Sequence, residues 1–320
     1  MSAPEYTGRA ALNLALDRAL ATDFRVFLLG RDLADPVGGR YGVTRGLSTT
    51  HGSHRVVDVP PSVAAMCGAA VGAALEGMVP VVELPAAPVG GAVLDQLAQV
   101  RVFQEPKGAY GGSPVLRVPV PALGPGLDAQ LDRFARIPGL RIVQPDTPAD
   151  AESLLLAAIR DPAPSVVLEP VGLYDAIGPR TDPAGRGATL AAAALAVRAA
   201  DTTVVTCGVA RAAALHAAAD LTAEGVEVDV VVLRGLESLD TEAALRSVAR
   251  TRRLVLAPGT AAARTRCGDL AGLVGRELLG RLSAPAEHAR PASAGELRPA
   301  DIAAAVRTVC GYSRSRAPGR

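Results

Sequence analysis

The stretch Asp58–Glu83, DVPPSVAAMCGAAVGAALEGMVPVVE, is the most informative part of the sequence. It predicts a proline-stiffened loop, a helix with Ser62 as its N-cap, a stop at Gly77 and a buried strand over Val79–Leu84. The predicted helix, Ala64–Leu75, carries small apolar side chains on every face. Because such a helix cannot face water, we expect other helices or another subunit to pack closely against it.

On both sides of this stretch, short apolar runs rich in β-branched residues alternate with helical patterns. One series begins with a helix over Tyr6–Thr22, and another ends with helices over Ala261–Leu282 and the segment ADIAAAVRTVC. A further helix follows Thr147, a predicted N-cap with Pro148 behind it. This alternation predicts an α/β fold with mainly parallel sheets and helices on both sides of each sheet.

A segment rich in Gly, Pro and charge, Asp175–Gly187, separates the two series. Such composition is typical of a boundary between domains. We therefore predict one domain at 1–180, a linker at 181–187, a second domain at 188–310 and a flexible tail at 311–320.

Composition argues against a nucleic-acid-binding or membrane protein. The 320 residues are 49% hydrophobic and carry a net charge of +1 with the two signs interspersed, so neither nucleic acid nor a membrane is an expected partner. With no signal-like N-terminus and no 18-residue apolar run, we expect a soluble cytoplasmic protein. The cysteines are widely spaced without a CxxC pair, which predicts buried small hydrophobes rather than disulfides or zinc ligands: Cys67, Cys207, Cys267 and Cys310.

Few residues form a catalytic pattern on their own. His51 and His54 make a His-x-x-His pair, for which we expect a loop or interface position, because no cluster of Cys, Asp or Glu accompanies it. The functional alternatives are that the pair binds a metal ion, or that His51 acts as an acid or base. Asp58 and Glu83 could form an acid–base dyad, but strand-end carboxylates more often cap turns or pair with Arg. No glycine-rich phosphate loop occurs.

The order of several segments resembles the beta subunit of the thiamine-diphosphate-dependent 2-oxo acid dehydrogenases, within the wider transketolase family. The similarity extends over nearly the whole chain, although no single segment is diagnostic. The segments, in order, are RVFLLGRDL, YGVTRGL, AAVGAALEGMVPVVEL, the pair Asp95–Gln96, IPGLRIVQPDTPADAESLLLAAIRD, LEPVGLY, VDVVVLRGLESLD and ADIAAAVR.

This resemblance implies a pyrimidine-binding domain followed by a transketolase C-terminal domain, with the cofactor held between two chains. In the family, an alpha-type chain binds the diphosphate and Mg²⁺ through a Gly-Asp-Gly motif and a downstream Asn. This chain has no Gly-Asp-Gly, and its only Asn is Asn13. Thiamine diphosphate with Mg²⁺ is therefore expected only at an interface with such a partner. By resemblance the pyrimidine pocket contains Ser62, Val63, Leu84, Ala86 and Val89.

At the positions where the family has its chemistry, this sequence departs from the pattern. The family places a Glu after the Ser, against a ring nitrogen of the aminopyrimidine, whereas this chain has Val63, which cannot handle a proton. A family His would fall near Gly126, and the acid of a Gly-Glu-Asp turn is Arg31. A family His-Glu pair corresponds to Ala257–Pro258, and the aromatic rings and Asp after the VVE strand are absent from Leu84–Val89.

Three interpretations follow. The leading one is a beta-subunit-like partner of an alpha-type chain that lacks its own catalytic acid, has a structural or regulatory role, and associates with itself through the helix at 64–75. The second is an active 2-oxo acid decarboxylase or acyl or ketol transferase that activates the cofactor without Glu, as the glyoxylate carboligases do with a Val at this position. The third is a small-molecule binding protein that uses the emptied cleft.

Overall fold

Mainly parallel sheets organise the chain, one in each of two units, residues 1–190 and 191–320. The predicted α/β class is therefore confirmed. The computed structural model describes residues 5–85, 91–104, 112–120, 133–134, 137, 139–180, 190, 194–197, 201–207, 210–233, 241–259, 261–291 and 297–311. Every helix among these residues is too short or too polar to cross a bilayer.

The first unit contains a six-stranded, fully parallel sheet and a separate two-stranded ribbon. Its strands are β1 (Glu5–Thr7), β2 (Val26–Gly30), β3 (Val56–Asp58), β4 (Val79–Glu83), β5 (Val115–Val120), β6 (Arg141–Val143), β7 (Ser165–Pro170) and β8 (Ile177–Pro179). Its helices are α1 (Gly8–Thr22), α2 (Leu47–His51), α3 (Val63–Leu75), α4 (Gly91–Gln104) and α5 (Pro148–Arg160). The order across the large sheet is β3-β2-β4-β5-β7-β6.

The helix ends follow the predicted caps. The Ser62 hydroxyl accepts a hydrogen bond from the backbone N–H of Ala65, so it caps α3. Gly77, with φ +88°, ends that helix in the left-handed conformation that glycine adopts without strain. Thr147 caps α5, which begins with Pro148. Local sequence therefore fixes where these helices begin and end.

The N-terminal prediction was wrong by one element. The helix expected from Tyr6 begins at Gly8, because residues 5–7 form β1, which pairs antiparallel with β8. Gly8 fits there because a Cβ atom would lie 2.1 Å from the carbonyl oxygen of Leu173. The segment Asp175–Gly187 thus contains an ordered strand, β8, whereas the predicted linker at 181–187 lies outside the described residues.

The second unit has a five-stranded sheet in the order β13-β12-β10-β11-β9, in which β9 runs antiparallel to β11 and the other neighbours are parallel. The strands are β9 (Ala194–Val197), β10 (Thr202–Cys207), β11 (Val228–Leu233), β12 (Leu254–Pro258) and β13 (Glu287–His288). The helices are α6 (Ala210–Ala223), α7 (Thr241–Thr251), α8 (Ala261–Glu277) and α9 (Pro299–Gly311).

Two strands of this unit have no sequence signal. β9 lies in an alanine-rich run, and Ala has a low preference for strands, so no strand is expected there. β13 contains His288, which the sequence places in a proline-rich loop. The helix expected to reach Leu282 ends at Glu277. The four cysteines are free; three are buried as predicted, and Cys310 is partly exposed.

Candidate functional site

The topology of the first sheet marks one crevice. From β2 the chain passes through α2 to β3 on one side, then through α3 to β4 on the other side of β2. The direction of the connections therefore reverses between β2 and β4. In open parallel sheets, ligands bind outside the carboxyl ends of the strands at such a reversal.

A cavity of about 360 Å³ lies at this point. Residues that follow β2 form one wall, and the end of β4 with the start of α3 forms the other. The apolar lining consists of Val37, Pro61, Met66, Leu84 and Pro85, and the remaining lining residues are Arg31, Asp32, Gly39, Arg40 and Glu83.

The loop after β2 is held in shape by carboxylates that accept hydrogen bonds from it. Asp58, at the end of β3, accepts hydrogen bonds from the backbone N–H groups of Leu33 and Ala34. Asp35 accepts hydrogen bonds from Thr49, Gly46 and Ser48, which hold the pKa of its carboxyl group well below its usual range. The loop wall of the cavity is therefore a fixed turn.

Gly39 brings this loop onto the acid at the base of the cavity. Its φ is +77°, and a Cβ atom there would lie 2.7 Å from Glu83 Oε1. The backbone N–H of Arg40 donates a hydrogen bond to the same oxygen, at 3.2 Å. A side chain at position 39 would separate the loop from the carboxylate, so glycine is required for this contact.

A buried ion cluster lies beneath the cavity. Arg117, only 1% exposed, donates through Nε and Nη2 to both oxygens of Glu169, at 2.7 and 2.8 Å. Its Nη1 donates to Glu83 Oε2 at 2.9 Å. The Tyr174 hydroxyl also donates to Glu169, at 2.8 Å, and its ring stacks on Tyr41 with centroids 4.8 Å apart.

The register of three adjacent strands assembles this cluster. Glu83 of β4 is the register partner of Arg117 in β5. Glu169 lies two residues beyond Val167, the register partner of Arg117 in β7. Because side chains alternate between faces with a period of two, the three charged groups lie on one face of the sheet.

The cluster contains one cation and two acids, so it carries excess negative charge when both carboxyl groups are ionised. Burial raises the pKa of Glu83; Arg117 opposes this rise, and the second carboxylate, Glu169, adds to it. Burial also raises the pKa of Tyr174, which keeps its hydroxyl a neutral donor. Glu169 accepts hydrogen bonds from two nitrogens of Arg117, whereas Glu83 accepts one. The negative charge of Glu83 is therefore the less compensated of the two.

The residues predicted for the pocket divide into three groups. Leu84 lines the cavity. Ser62 caps α3 and Val63 begins it, between the lining residues Pro61 and Met66. The other predicted positions lie outside the described residues: Ala86, Val89 and Gly126.

The structure shows the surroundings of the candidate residues that were chosen by residue type alone. His51 Nε2 lies 2.8 Å from Asp17 Oδ1 on α1, and neither residue is among those that line the cavity. Glu83 pairs with Arg117 and Asp58 caps a turn, as expected of strand-end carboxylates. Among the described residues, no group of three or more His, Cys, Asp or Glu is placed to hold a metal ion.

Sequence reasoning missed Arg117, Glu169 and Tyr174. The available signal was a charged residue in each of two otherwise apolar strands, VLRVPV and SVVLEP. Buried charges are almost always paired, so each of these two residues predicts a partner of opposite charge.

One face of α3 is uncovered in the single chain. Met66, Cys67, Ala70 and Ala74 are buried, whereas Ala65, Ala69 and Gly72, at the i, i+4 and i+7 spacing of one helix face, are exposed. The described residues of this chain therefore cover α3 on one side only, and cover by another subunit stays a prediction.

The sequence of the chain matches two protein-family models and several curated proteins. Residues 5–85 match the transketolase pyrimidine binding domain, and residues 191–305 match the transketolase C-terminal domain. The beta subunit of acetoin:2,6-dichlorophenolindophenol oxidoreductase from Cupriavidus necator is 36% identical over 299 residues, covering 88% of each chain. The pyruvate dehydrogenase E1 component subunit beta of Leifsonia xyli subsp. xyli is 34% identical, covering 86% of this chain and 83% of the relative.

Solved structures share the fold. A split-gene transketolase in an inactive beta4 tetramer superposes with a TM-score of 0.72 at 18% identity, covering 96% of this chain and 99% of that one. Transketolase from Leishmania mexicana gives a TM-score of 0.63 at 16% identity and covers all of this chain, which spans 47% of that one. The chain therefore belongs to the transketolase-like family that includes the beta subunits of pyruvate dehydrogenase E1 components and of acetoin oxidoreductase.

Proposed function

We propose that this chain is the beta-type component of a thiamine-diphosphate-dependent 2-oxo acid dehydrogenase or transketolase-type complex. In it, the chain closes the cofactor pocket, and an alpha-type partner carrying the Gly-Asp-Gly motif holds the charged end of the cofactor. The observation that carries this proposal is the cavity at the reversal between β2 and β4, in a chain 36% identical to a curated beta subunit.

The cavity fits the aminopyrimidine end of the cofactor. A flat heterocycle has apolar faces and a polar edge, and the cavity offers apolar walls at Met66, Leu84 and Pro61 with a carboxyl group, Glu83, at its base. The described residues do not fit the other end, because they contain no cluster placed to hold a metal ion. Because the sequence also lacks a Gly-Asp-Gly motif, the proposal assigns Mg²⁺ and the diphosphate to the partner.

When bound, thiamine diphosphate supplies carbanion stabilisation at the carbonyl carbon of a 2-oxo acid. This chain would orient the ring and exclude water from it through its apolar walls. At the family's proton-handling position, Val63 can neither donate nor accept a proton. The proposed role is therefore structural or regulatory: the chain completes the partner's site without the family's acid.

The exposed face of α3 supports a contact with another chain. Ala65, Ala69 and Gly72 let a second helix approach closely, and burying them would remove an apolar surface from water. Size-exclusion chromatography with light scattering tests this directly. We expect Ala69→Arg to shift the chain towards monomer and to weaken assembly with the alpha-type partner, whereas Ala219→Arg, at an exposed position of α6, should leave both unchanged.

Calorimetry tests the cofactor proposal. Thiamine diphosphate with Mg²⁺ is titrated into the chain alone, the partner alone and the complex. We expect tight binding only to the complex. Binding of equal affinity to the partner alone, or no complex at all, would contradict the proposal.

The rate of 2-oxo acid turnover distinguishes two hypotheses: a chain that lacks the catalytic acid, and an enzyme that is active without it. We expect the wild-type complex to consume 2-oxo acids slowly or not at all, and Val63→Glu to raise the rate at least about tenfold, in line with the usual contribution of general acid–base groups. Val63→Gln is the matched control, since it has similar size but does not ionise. Wild-type turnover equal to or above that of Val63→Glu would support Glu-independent activation instead.

A further inference from the structure

The second unit contains a cavity that the proposed function does not use. In its sheet the chain passes from β10 to β11 on one side, and from β11 back to β12 on the other side of β10. The direction of the connections therefore reverses between β10 and β12, and parallel sheets bind ligands outside the carboxyl ends of strands at such a reversal. A cavity of about 350 Å³ lies next to this point, at the carboxyl ends of β12 and β13.

Strand register brings the lining of this cavity together. Pro258 is the last residue of β12 and lies beside the end of β10. His288 is the last residue of β13 and is the register partner of Leu256. Because side chains alternate between faces with a period of two, His288 lies on the same face of the sheet as Pro258. Val255 and Ala257 lie on the other face, in the core that α6 and α9 cover.

The polar lining of the cavity is entirely basic. It consists of Arg264 in the first turn of α8, His288 and Arg290. The other lining residues, Pro258 and Ala289, are buried and uncharged. The backbone N–H of Ala289 donates a hydrogen bond to a carbonyl oxygen of β12 at 2.9 Å, which fixes the segment that carries the two neighbouring basic residues. A ligand in this cavity therefore meets two guanidinium groups and one imidazole.

The positive charge of this cavity is not neutralised by the described residues. Among them, the side chains of Arg264, His288 and Arg290 form no hydrogen bond and no ion pair. Elsewhere in the unit, Arg307 pairs with Glu224, although both are exposed. The acid next to His288 in sequence is the first residue of β13, and by the period of two it lies on the opposite face of the sheet. The three basic groups are therefore available to an anion.

The kind of donor indicates the kind of anion. A guanidinium presents paired N–H groups that match two oxygens of a phosphate, and an imidazole adds a further N–H donor. Two guanidinium charges balance a phosphate dianion, whereas a single carboxylate would neutralise only one of them. The first turn of α8 supplies one of the arginines, and the N-terminal end of a helix carries partial positive charge. The volume of the cavity is that of a site for a small molecule.

We propose that this cavity binds a small phosphate-bearing molecule, with Arg264 and Arg290 holding the phosphate oxygens and His288 donating a hydrogen bond to the same group. Binding is noncovalent, and no bond forms or breaks. It needs neither thiamine diphosphate nor the alpha-type partner, so this site is additional to the proposed function.

Calorimetric titration of the full-length chain, at constant ionic strength and without other phosphate, tests the proposal. The probes are inorganic phosphate, glycerol 3-phosphate and malonate, a dianion without a phosphate group. We expect saturable binding of both phosphate compounds and weaker binding of malonate. Tighter binding of glycerol 3-phosphate than of inorganic phosphate would identify an organic phosphate as the ligand, and equal affinity would identify the phosphate group alone as what is recognised.

Two variants and a matched control assign the binding to this cavity. Arg264→Gln and Arg290→Gln each remove one charge, and each should weaken phosphate binding at least about tenfold, as expected for the loss of a charge-assisted hydrogen bond. Arg276→Gln makes the same change at an exposed position of the same helix, α8, that does not line the cavity, so it should bind phosphate like wild type. Because all three positions are exposed, the far-ultraviolet circular dichroism should be unchanged.

A direct readout locates the ligand. In ¹⁵N–¹H spectra of wild type, phosphate should shift the backbone amide resonances of Ala289 and Arg290, and Arg264→Gln should reduce these shifts at the same phosphate concentration.

Three results would overturn the proposal. The first is that neither phosphate compound binds saturably to wild type. The second is that malonate binds as tightly as inorganic phosphate. The third is that the folded variants Arg264→Gln and Arg290→Gln keep the wild-type affinity, or that Arg276→Gln loses as much affinity as they do. None of these results bears on cofactor binding by the complex, so the proposed function stands or falls separately.

Discussion

Each of the two large sheets buries an acid beside an arginine, but at opposite ends of its strands. In the first unit, Glu83 is the final residue of β4, beside the cavity, and pairs with Arg117. In the second unit, Asp229 is the second residue of β11, fully buried, and accepts hydrogen bonds from Ser247 and Arg250. The residue types are similar, and the surroundings differ.

The acid of the second unit belongs to a closed network. The Thr203 hydroxyl lies 2.8 Å from that of Ser247 and 2.7 Å from that of Thr251, so α7 covers the amino ends of β10 and β11 with hydrogen-bonding groups. At the carboxyl end of the first sheet, by contrast, the strand ends face a crevice. A buried acid–arginine pair is therefore not evidence of a ligand-binding site by itself. Its position along the strand determines whether a ligand can reach it.

The largest effect should come from breaking the two-nitrogen contact of the first cluster. Glu169→Gln leaves the buried guanidinium of Arg117 with one acid, Glu83, which accepts a single hydrogen bond from it. We therefore expect a loss of about 3–5 kcal/mol in the free energy of unfolding. Urea unfolding followed by circular dichroism measures it, and hydrogen exchange in β5 and β7 assigns it to the first unit. Glu224→Gln should behave like wild type; an equal loss there would contradict the prediction.

Breaking the closed network should cost less. Asp229→Asn removes the charge that faces Arg250, but the Arg250 side chain is 38% exposed and can turn to water. We expect a loss of about 1–3 kcal/mol in the free energy of unfolding, seen as faster hydrogen exchange in β10 and β11. A loss larger than that of Glu169→Gln would show that burial of the arginine does not set the difference between the two clusters.

The smallest effect should come from the acid at the cavity. Glu83→Gln keeps an acceptor for Arg117, and Glu169 still compensates the charge, so we expect a change within about 1 kcal/mol in the free energy of unfolding.

The pH dependence of stability, compared between wild type and Glu83→Gln, is a more specific test of this acid. Because burial raises the pKa of Glu83 above 4.5, the folded state binds its proton more tightly than the unfolded state. Wild type therefore loses stability as pH rises from 4.5 through the pKa of folded Glu83, and the Gln variant does not. Melting temperatures across that window should shift in favour of Gln, and a constant difference would show that Glu83 is fully compensated.

Local features of the fold follow from residues that are neighbours along the chain. Ser62 and Gly77 define α3, Thr147 and Pro148 start α5, and the alternation of apolar runs with helical patterns indicates parallel sheets. These features could be predicted because caps and periodicity act over a few residues. The resemblance to a beta subunit likewise rests on the order of local segments.

Contacts between residues far apart in the chain become apparent only in the folded structure. Arg117 meets Glu83 across 34 positions and Glu169 across 52, through the register of β4, β5 and β7. The same holds for β1, which forms only because β8 is available to pair with it, and for β9 beside β11. Strand pairing depends on partners that no local window contains, so the sequence indicated an Arg partner for Glu83 but not that this partner is Arg117.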